Sequence, residues 1–154
     1  MSQGAVTLDG SENASVKYAA CCRPVPGEGI VGYLGRGEGL VVHADGCAVA
    51  RKLQNKDSER FITVEWADEP IRPFETGVVV TVANGKGVLA RVAAALASAE
   101  ADIVHVDMND ESNQDAADLR FVIAVRDRIH LDQVLRNLRR TPSVLRAARA
   151  LPAG

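Results

Sequence analysis

The stretch FETGVVVTVANGKGVLARVAAALAS, residues 74–98, decides the fold of the second half of this 154-residue chain. It contains the β-branched run VVVTV, which favours a strand. Residues 84–87 then supply turn chemistry, because Gly and Asn tolerate positive φ angles. The apolar side chains that follow recur with the spacing of an amphipathic helix, at Leu89, Val92, Ala93 and Leu96. The stretch therefore predicts a strand, a tight turn and a helix, in that order.

The sequence after this helix predicts two more strands, a second helix and a final strand. Residues 103–108 and 119–125 alternate apolar and polar side chains, as half-buried strands do, and a polar loop over residues 110–117 joins them. Residues 131–138 have helical apolar spacing, and a last strand follows at residues 143–150. The order βαββαβ is the ferredoxin-like arrangement. We expect its helices to cover one sheet face and to leave the other face and one edge open.

The first half of the chain has a different composition, with all three cysteines and most of the 13 glycines. Short strands are predicted at residues 16–20, 30–34, 40–43 and 61–66. A short helix over residues 45–53 would take Asp45 as its N-cap. A glycine-rich unit of about 55 residues has a thin core, and units of this size often need a metal or a neighbouring domain.

Together these patterns predict an α+β chain of two domains. Residues 68–73 contain two prolines, which remove backbone donors and fix torsions, so they are typical of a linker. We expect a flexible N-terminal segment at residues 1–15, a small β-rich domain at residues 16–67 and the ferredoxin-like domain at residues 74–154.

Composition and charge narrow the class of protein. Hydrophobic residues make up 47%, charged residues 25%, and the net charge is -2, which excludes a disordered chain and a strongly basic binder of bulk nucleic acid. The N-terminus lacks the apolar core of a signal peptide, and the apolar runs are too short to cross a bilayer. We therefore expect a cytoplasmic protein with reduced thiols. The sequence contains no Walker A loop, nucleophile elbow or paired catalytic carboxylates, so we predict no catalytic residue.

Four residues of the first half form a candidate metal site. Cys21, Cys22, His43 and Cys47 offer the thiolates and imidazole that zinc prefers. The adjacent cysteines are an obstacle, because neighbouring residues of a strand point to opposite faces and meet one metal only where the chain bends. We expect Arg23-Pro24 to supply that bend. Buried thiols packed as small apolar groups are the alternative, and the spacing alone leaves both interpretations open.

Three glycine-containing loops are candidate anion sites. Residues 26–29 and 35–39 are better explained as tight β-turns, since strands follow them and each contains a glutamate. Arg36, at a turn tip, remains a candidate contact to a phosphate backbone. Residues 84–89 open a helix, whose N–H groups favour a carboxylate. The structural alternative is a simple strand-to-helix turn.

A longer run then points to a family. The run Tyr18-Ala-Ala-Cys21-Cys22-Arg-Pro24-Val-Pro26-Gly27, with the later Gly37-x-Gly39 and His43-x3-Cys47, resembles the zinc-finger-like ribosome-intersubunit (RIS) domain of RelA/SpoT-type alarmone synthetase/hydrolase enzymes. The remainder, about residues 72–152, resembles the ACT domain, a regulatory βαββαβ module. The family usually has an acidic residue immediately before the last cysteine, where this chain has Gly46.

The resemblance implies the C-terminal regulatory region of such an enzyme, with the catalytic domains N-terminal to it. ACT modules pair side by side and bind an amino acid at the interface. Carried over to this chain, the ligand-binding positions are Asn84, Gly85, Gly87, Val88, Leu89, Asp102 and Ile103. Backbone donors around Gly87 would hold the ligand carboxylate, and Asp102 would attract its ammonium group. The apolar Leu89 and Ile103 would favour a branched-chain amino acid, valine or isoleucine.

The resemblance also supports a second hypothesis, a ribosome- and tRNA-docking module without a small ligand. Its candidate RNA contacts are Arg23, Arg36, Arg51 and Lys52. Residues 1–70 are net acidic, so such a contact would be a narrow patch. The two hypotheses are compatible, whereas a free-standing enzyme is disfavoured by the missing catalytic groups.

Overall fold

The computed structural model describes residues 5–13, 15–108 and 115–152. The chain divides into two compact units, of which the first runs up to Phe74 and the second is Glu75–Ala150. Among the described residues, no helix is long and apolar enough to cross a membrane. The mixture of helices and sheets is the predicted α+β class.

The first unit is built mainly from short strands. Its elements are β1 (Val6–Leu8), β2 (Val16–Tyr18), β3 (Ile30–Gly35), β4 (Gly39–Ala44), α1 (Ala48–Lys56), a 3-10 turn (Ser58–Arg60), β5 (Phe61–Ile62) and β6 (Val64–Trp66). Four strands form a sheet in the order β2-β4-β3-β5, with β2 parallel to β4 and the other pairs antiparallel. β1 pairs with β6 in a parallel two-stranded ribbon.

Several expectations for this unit need correction. Residues 6–8 lie in the segment expected to be flexible, yet they form β1, because Leu8 is fully buried against Leu40, Val42 and Val64. The helix begins at Ala48 rather than at residue 45, so Asp45 does not cap it.

The predicted strand 61–66 is also wrong in detail, since Thr63 interrupts it. β5 pairs with β3, whereas β6 pairs with β1 in a separate sheet. The break at Thr63 lets the two halves of the predicted strand pair with different strands. The β3–β4 hairpin depends on Gly39, whose φ is +77°. A Cβ atom there would collide with the carbonyl oxygen of Ser15, which accepts a hydrogen bond from the Leu40 N–H at 2.9 Å.

The second unit has the predicted βαββαβ order. Its elements are β7 (Phe74–Ala83, beginning at the unit boundary), α2 (Val88–Ser98), β8 (Asp102–Met108), β9 (Ala116–Val125), α3 (Arg128–Arg139) and β10 (Val144–Arg149). The strand order is β10-β7-β9-β8, which is the ferredoxin-like arrangement. The predicted loop 110–117 lies partly outside the described residues, and β9 already begins at Ala116.

The core of the second unit lies between the helices and one face of the sheet. α2 contacts β8, while α3 contacts β9 and β10. Alternate residues of β7 and β9 are buried against these helices, among them Val78, Val80, Phe121 and Ile123. β8, at one edge of the sheet, is exposed along its whole length. This edge leaves a row of backbone donors and acceptors without a neighbouring strand in the described chain.

Candidate functional site

The four metal-ligand candidates converge from three elements of the first unit. Cys21 and Cys22 lie in a turn after β2, closed by a hydrogen bond of 2.8 Å from the Arg23 N–H to the Ala19 carbonyl. Arg23 has a positive φ of 45°, which completes the bend. Because the cysteines are in a turn rather than a strand, the adjacent pair is able to face one point. His43 is in β4, and Cys47 occupies the N-cap position of α1.

The distances among the four side chains fit a tetrahedral metal site. All the ligand atoms lie within 4.8 Å of one another. The Cys21 Sγ atom is 3.9 Å from Cys22 Sγ, 3.6 Å from Cys47 Sγ and 3.4 Å from His43 Nδ1. Cys22 Sγ is 3.8 Å from His43 Nδ1. Tetrahedral bonds to zinc of about 2.0–2.3 Å separate two sulfurs by about 3.8 Å and a sulfur and a nitrogen by about 3.6 Å. The donor set and its spacing therefore fit zinc.

Burial shapes the protonation of this cluster. Cys22 and Cys47 are each 1% exposed and His43 is 4% exposed. Burial lowers the pKa of His43, which favours the neutral imidazole that metals bind. Burial raises the pKa of both Cys21 and Cys22. Burial also raises the pKa of Cys47, but the backbone N–H groups at the start of α1 and the neighbouring thiols have the larger effect, so the pKa of Cys47 is lowered. The Cys47 side chain lies near these N–H groups without making a capping hydrogen bond to them.

The same residues also belong to a small apolar cluster. Cys22 and Cys47 pack with Ala19, Ala44 and Ala50. The Ala44 N–H donates to the Cys22 sulfur at 3.3 Å, the kind of outer contact that orients a thiolate ligand. The same arrangement of side chains is therefore compatible with both thiol packing and metal binding. Gly46 is exposed, with no atom within 4 Å of the position its Cβ would take, so the acidic side chain usual in the family would face solvent here.

The Asn84–Leu89 loop presents the N-terminus of α2 to solvent. Gly87 takes the N-cap position with a φ of +74°, and no side chain of the described residues caps the helix there. The Asn84 N–H donates to the carbonyl of Asp115, the residue before β9, at 2.9 Å, which fixes the loop beside the beginning of that strand. Residues 84–87 are exposed, whereas Val88 is buried and Leu89 is 40% exposed. The first-turn N–H groups of α2 are therefore placed to receive a carboxylate.

The other half of the predicted amino-acid site lies elsewhere. Asp102 begins β8 and pairs with Ala124 of β9, whereas Asn84 lies beside Asp115. Ala124 and Asp115, the residue before β9, are nine positions apart, or about 30 Å at the rise of a strand. The structure therefore does not bring Asn84 and Asp102 together within one protomer.

A β-bulge between Ile103 and His105 sets which side chains of β8 face the helices. Ile103, Val106 and Met108 pair with the buried β9 residues Ile123, Phe121 and Leu119 and so share their face. At the edge of the sheet they remain 41%, 39% and 55% exposed. The alternation predicted for residues 103–108 would instead put Val104 on the face of Val106 and Met108, because a sequence pattern does not reveal a bulge.

The RNA-contact candidates lie on the first unit. Arg36 is exposed at the tip of the β3–β4 hairpin, and Arg51 and Lys52 are exposed on α1. Arg23 is partly exposed in the turn that carries the cysteines. Sequence reasoning missed Lys56, which is also exposed on α1, one helical turn beyond Lys52.

His130, which the sequence did not assign to a site, is a structural residue. It is 2% exposed, and its Nδ1 accepts a hydrogen bond of 3.0 Å from the Arg126 N–H. Its Nε2 therefore carries the proton and donates to the Ala99 carbonyl at 2.8 Å. The side chain links the start of α3 to the end of α2.

Family models match both units. Residues 71–149 match the ACT domain, and residues 6–67 match the RelA/SpoT RIS domain. The chain therefore belongs to the ACT domain family. With the RIS domain before it, the chain is a RelA/SpoT-type regulatory region, as its cysteine motif predicted.

Curated relatives agree with this assignment. The chain is 33% identical over 149 residues to the bifunctional (p)ppGpp synthase/hydrolase SpoT of Escherichia coli, covering 96% of this chain and 21% of that protein. It is 27% identical over 146 residues to the GTP pyrophosphokinase of E. coli, covering 95% and 20%. The chain thus spans about a fifth of the length of the curated relatives it matches. Among solved structures, the ACT domain from GTP pyrophosphokinase of Chlorobium tepidum is 16% identical, with a TM-score of 0.44, over 50% of this chain and 97% of that one.

Proposed function

We propose that this region regulates a bifunctional (p)ppGpp synthetase/hydrolase of the stringent response by binding a branched-chain amino acid between two ACT units. The chain contributes the sensor, and the synthesis and hydrolysis of the alarmone belong to catalytic domains elsewhere in such an enzyme. Two observations support the proposal. Asn84 and Asp102 lie at opposite ends of the sheet, so one copy alone does not form the site, and the β8 edge is open to pair with a second copy.

A second copy resolves that separation. If two β8 edges pair in antiparallel fashion, the beginning of one β8 lies beside the end of the other. β8 is antiparallel to β9, so the end of β8 lies beside the beginning of β9. Asn84 lies at this same end of the sheet, because it bonds to Asp115 directly before β9. Asp102 of the partner subunit then approaches the Asn84–Leu89 loop. The exposed strip of Ile103, Val106 and Met108 supports this pairing, because it would be covered by the copy.

The chemistry of the joined halves suits an aliphatic zwitterion. The N–H groups at the start of α2 attract a carboxylate, and an ionised Asp102 attracts an ammonium group. The half-exposed Leu89 and Ile103 offer apolar surface for a branched side chain. Binding would then be coupled to dimer arrangement, which is a route for signalling to the catalytic domains.

Calorimetric titration with valine, isoleucine and leucine tests this function, with sedimentation measured on the same samples. We expect heat from at least one of the three with a folded dimer. A folded dimer that gives no heat at millimolar ligand would contradict amino-acid sensing. Glycine is the matched control ligand, because it keeps the zwitterion and lacks the aliphatic side chain.

We further propose that Cys21, Cys22, His43 and Cys47 hold a structural zinc ion in the first unit. A closed set of four protein ligands is typical of structural rather than catalytic zinc. The role follows from position, since the four residues connect the turn after β2, β4 and α1 in a unit with a small apolar core.

The alternative function is docking to ribosomal RNA or tRNA without a small ligand. Exposure of Arg36 at a hairpin tip and of Arg51, Lys52 and Lys56 on α1 favours it. Salt-dependent binding to ribosomes that Arg36→Glu abolishes would support this alternative. Lys17→Glu is the matched control, because Lys17 is an exposed cation on β2 outside these two elements.

A further inference from the structure

We propose that the groove between α2 and α3 binds a small ligand that carries two or more linked phosphate groups. The groove has a volume of about 380 Å³, which lies in the range of small-molecule sites. Ala94 and Ala95 of α2 line it, and their small side chains leave space between the helices. None of its lining residues belongs to the proposed amino-acid site, so this inference goes beyond the function proposed above.

Two arginines line the groove from opposite helices, and neither is neutralised. Arg91 of α2 donates to the Lys86 carbonyl at 3.3 Å and to the Ser143 hydroxyl at 3.1 Å. Arg140, at the end of α3, donates to Asn137 Oδ1 at 3.2 Å. All three acceptors are uncharged, and within the described residues neither arginine has a carboxylate partner. A guanidinium has five N–H donors, so both retain capacity for an anion.

Asn137 organises the groove. Its Nδ2 donates across the groove to the Ala95 carbonyl at 2.7 Å, while its Oδ1 accepts from Arg140. One half-buried side chain therefore ties α3 to α2 and holds a guanidinium at the groove. The hydroxyl groups of Ser98 and Thr141 are further polar groups in the lining. Donors held in place before binding lose less entropy when a ligand arrives.

The distribution of charge favours an anion at this place. Residues 84–99 and 133–152 contain seven lysines and arginines and no aspartate or glutamate. All the residues that line the groove come from these two segments. Glu100 and Asp132 directly flank these segments but do not line the groove, so no carboxylate in the described lining repels a polyanion. Such a concentration of one sign raises the local concentration of the opposite charge.

The geometry favours linked phosphates over a single anion or a nucleic acid. Arginine recognises phosphate through paired N–H donors, so two guanidinium groups on different helices offer separate donors to two linked phosphates. A single phosphate would leave part of this donor set unused. None of the described lining residues is aromatic, so the stacking that holds single-stranded nucleic acid is missing.

Inorganic tripolyphosphate is the probe for the test, titrated calorimetrically into the whole chain at physiological ionic strength. The double variant Arg91→Gln/Arg140→Gln should weaken binding by about tenfold or more. Arg128→Gln is the matched control, because Arg128 is on α3 but pairs with Asp132 at 3.5 Å and lies outside the groove. It should change affinity by less than about twofold.

Guanidinium NMR signals of the unsubstituted chain give a reading that does not depend on a variant folding. Tripolyphosphate should shift the Arg91 and Arg140 signals and leave Arg128 unchanged. Absence of heat with tripolyphosphate, equal shifts at all three arginines, or binding of RNA alone would overturn the proposal. Valine titrated into the double variant separates this site from the amino-acid site, since its binding should persist.

Discussion

Asp102 and Asn84 lie at opposite ends of the ACT sheet, because Asp102 pairs with Ala124 of β9 while the Asn84 N–H bonds to Asp115 at the other end of that strand. The two residues were predicted to hold the same ligand. Their separation means that a ligand touching both must lie between two copies of the chain. Dimerisation is therefore a condition for a ligand to bind at both residues.

The apolar strip on β8 gives the first prediction. Val106→Lys should weaken the dimer by about tenfold or more, because it places a charge on a surface that the proposed pairing buries. Sedimentation equilibrium measures the effect. Leu145→Lys on β10 is the matched control, since Leu145 is 63% exposed at the opposite edge of the same sheet. Equal weakening by both variants, or by Leu145→Lys alone, would place the interface elsewhere.

The cysteine cluster gives the second prediction. Cys47→Ser should reduce the amount of bound zinc and lower the free energy of unfolding by several kcal/mol, because the metal connects three elements of the first unit. Zinc content by mass spectrometry and urea denaturation check both effects. Gly46→Asp is the control, as the exposed, unobstructed position should accept the acid without loss of metal. Full metal content in Cys47→Ser would leave thiol packing as the better explanation.

His130 gives a third prediction, on stability alone. His130→Ala should lower the free energy of unfolding by about 2–4 kcal/mol, because it opens a cavity and leaves the Arg126 N–H and the Ala99 carbonyl without their partner. Thermal or urea unfolding measures this. His105→Ala, at an exposed position of β8, should stay within about 0.5 kcal/mol of the unsubstituted chain. Similar values for the two variants would be inconsistent with the structural role of His130.

Gly39 gives a fourth prediction. Gly39→Ala should destabilise the first unit by about 1–3 kcal/mol, since the residue has a positive φ and its Cβ would meet the Ser15 carbonyl. Gly37→Ala, in the same hairpin and also at a positive φ, has no atom within 4 Å of its Cβ and isolates the contribution of backbone strain. A larger loss for Gly37→Ala than for Gly39→Ala would contradict this explanation.

The second unit was predictable from sequence because its signals are long and periodic. The β-branched run of β7, the helical spacing of α2 and α3 and the order of elements together allow few topologies. The bulge in β8 was not predictable, because its cause is the register with β9 and not the residues of β8 themselves.

The first unit was harder to predict, because its strands have two to six residues and depend on tertiary partners. β1 depends on the burial of Leu8 in a cluster with Val64, a residue far away in the sequence. The cysteine cluster was predicted as a set of residue types with a bend at Arg23-Pro24, and the positive φ of Arg23 confirms that bend. Spacing alone could not show that all four ligand atoms lie within 4.8 Å of one another. The separation of Asn84 from Asp102 required the strand order.

A mixture of two variants that each impair ligand binding tests whether the ligand lies between two copies of the chain. Asn84→Ala and Asp102→Ala should each weaken valine or isoleucine binding by about tenfold or more, because the first removes a side-chain amide that would bond the ligand carboxylate and the second leaves the ammonium group without its partner. In a heterodimer of the two, one site collects both substitutions and the other site collects neither. After subunit exchange, about one site in four should bind with the original affinity. If the mixture binds no better than either variant alone while exchange is shown to be complete, the ligand does not lie between two copies of this chain.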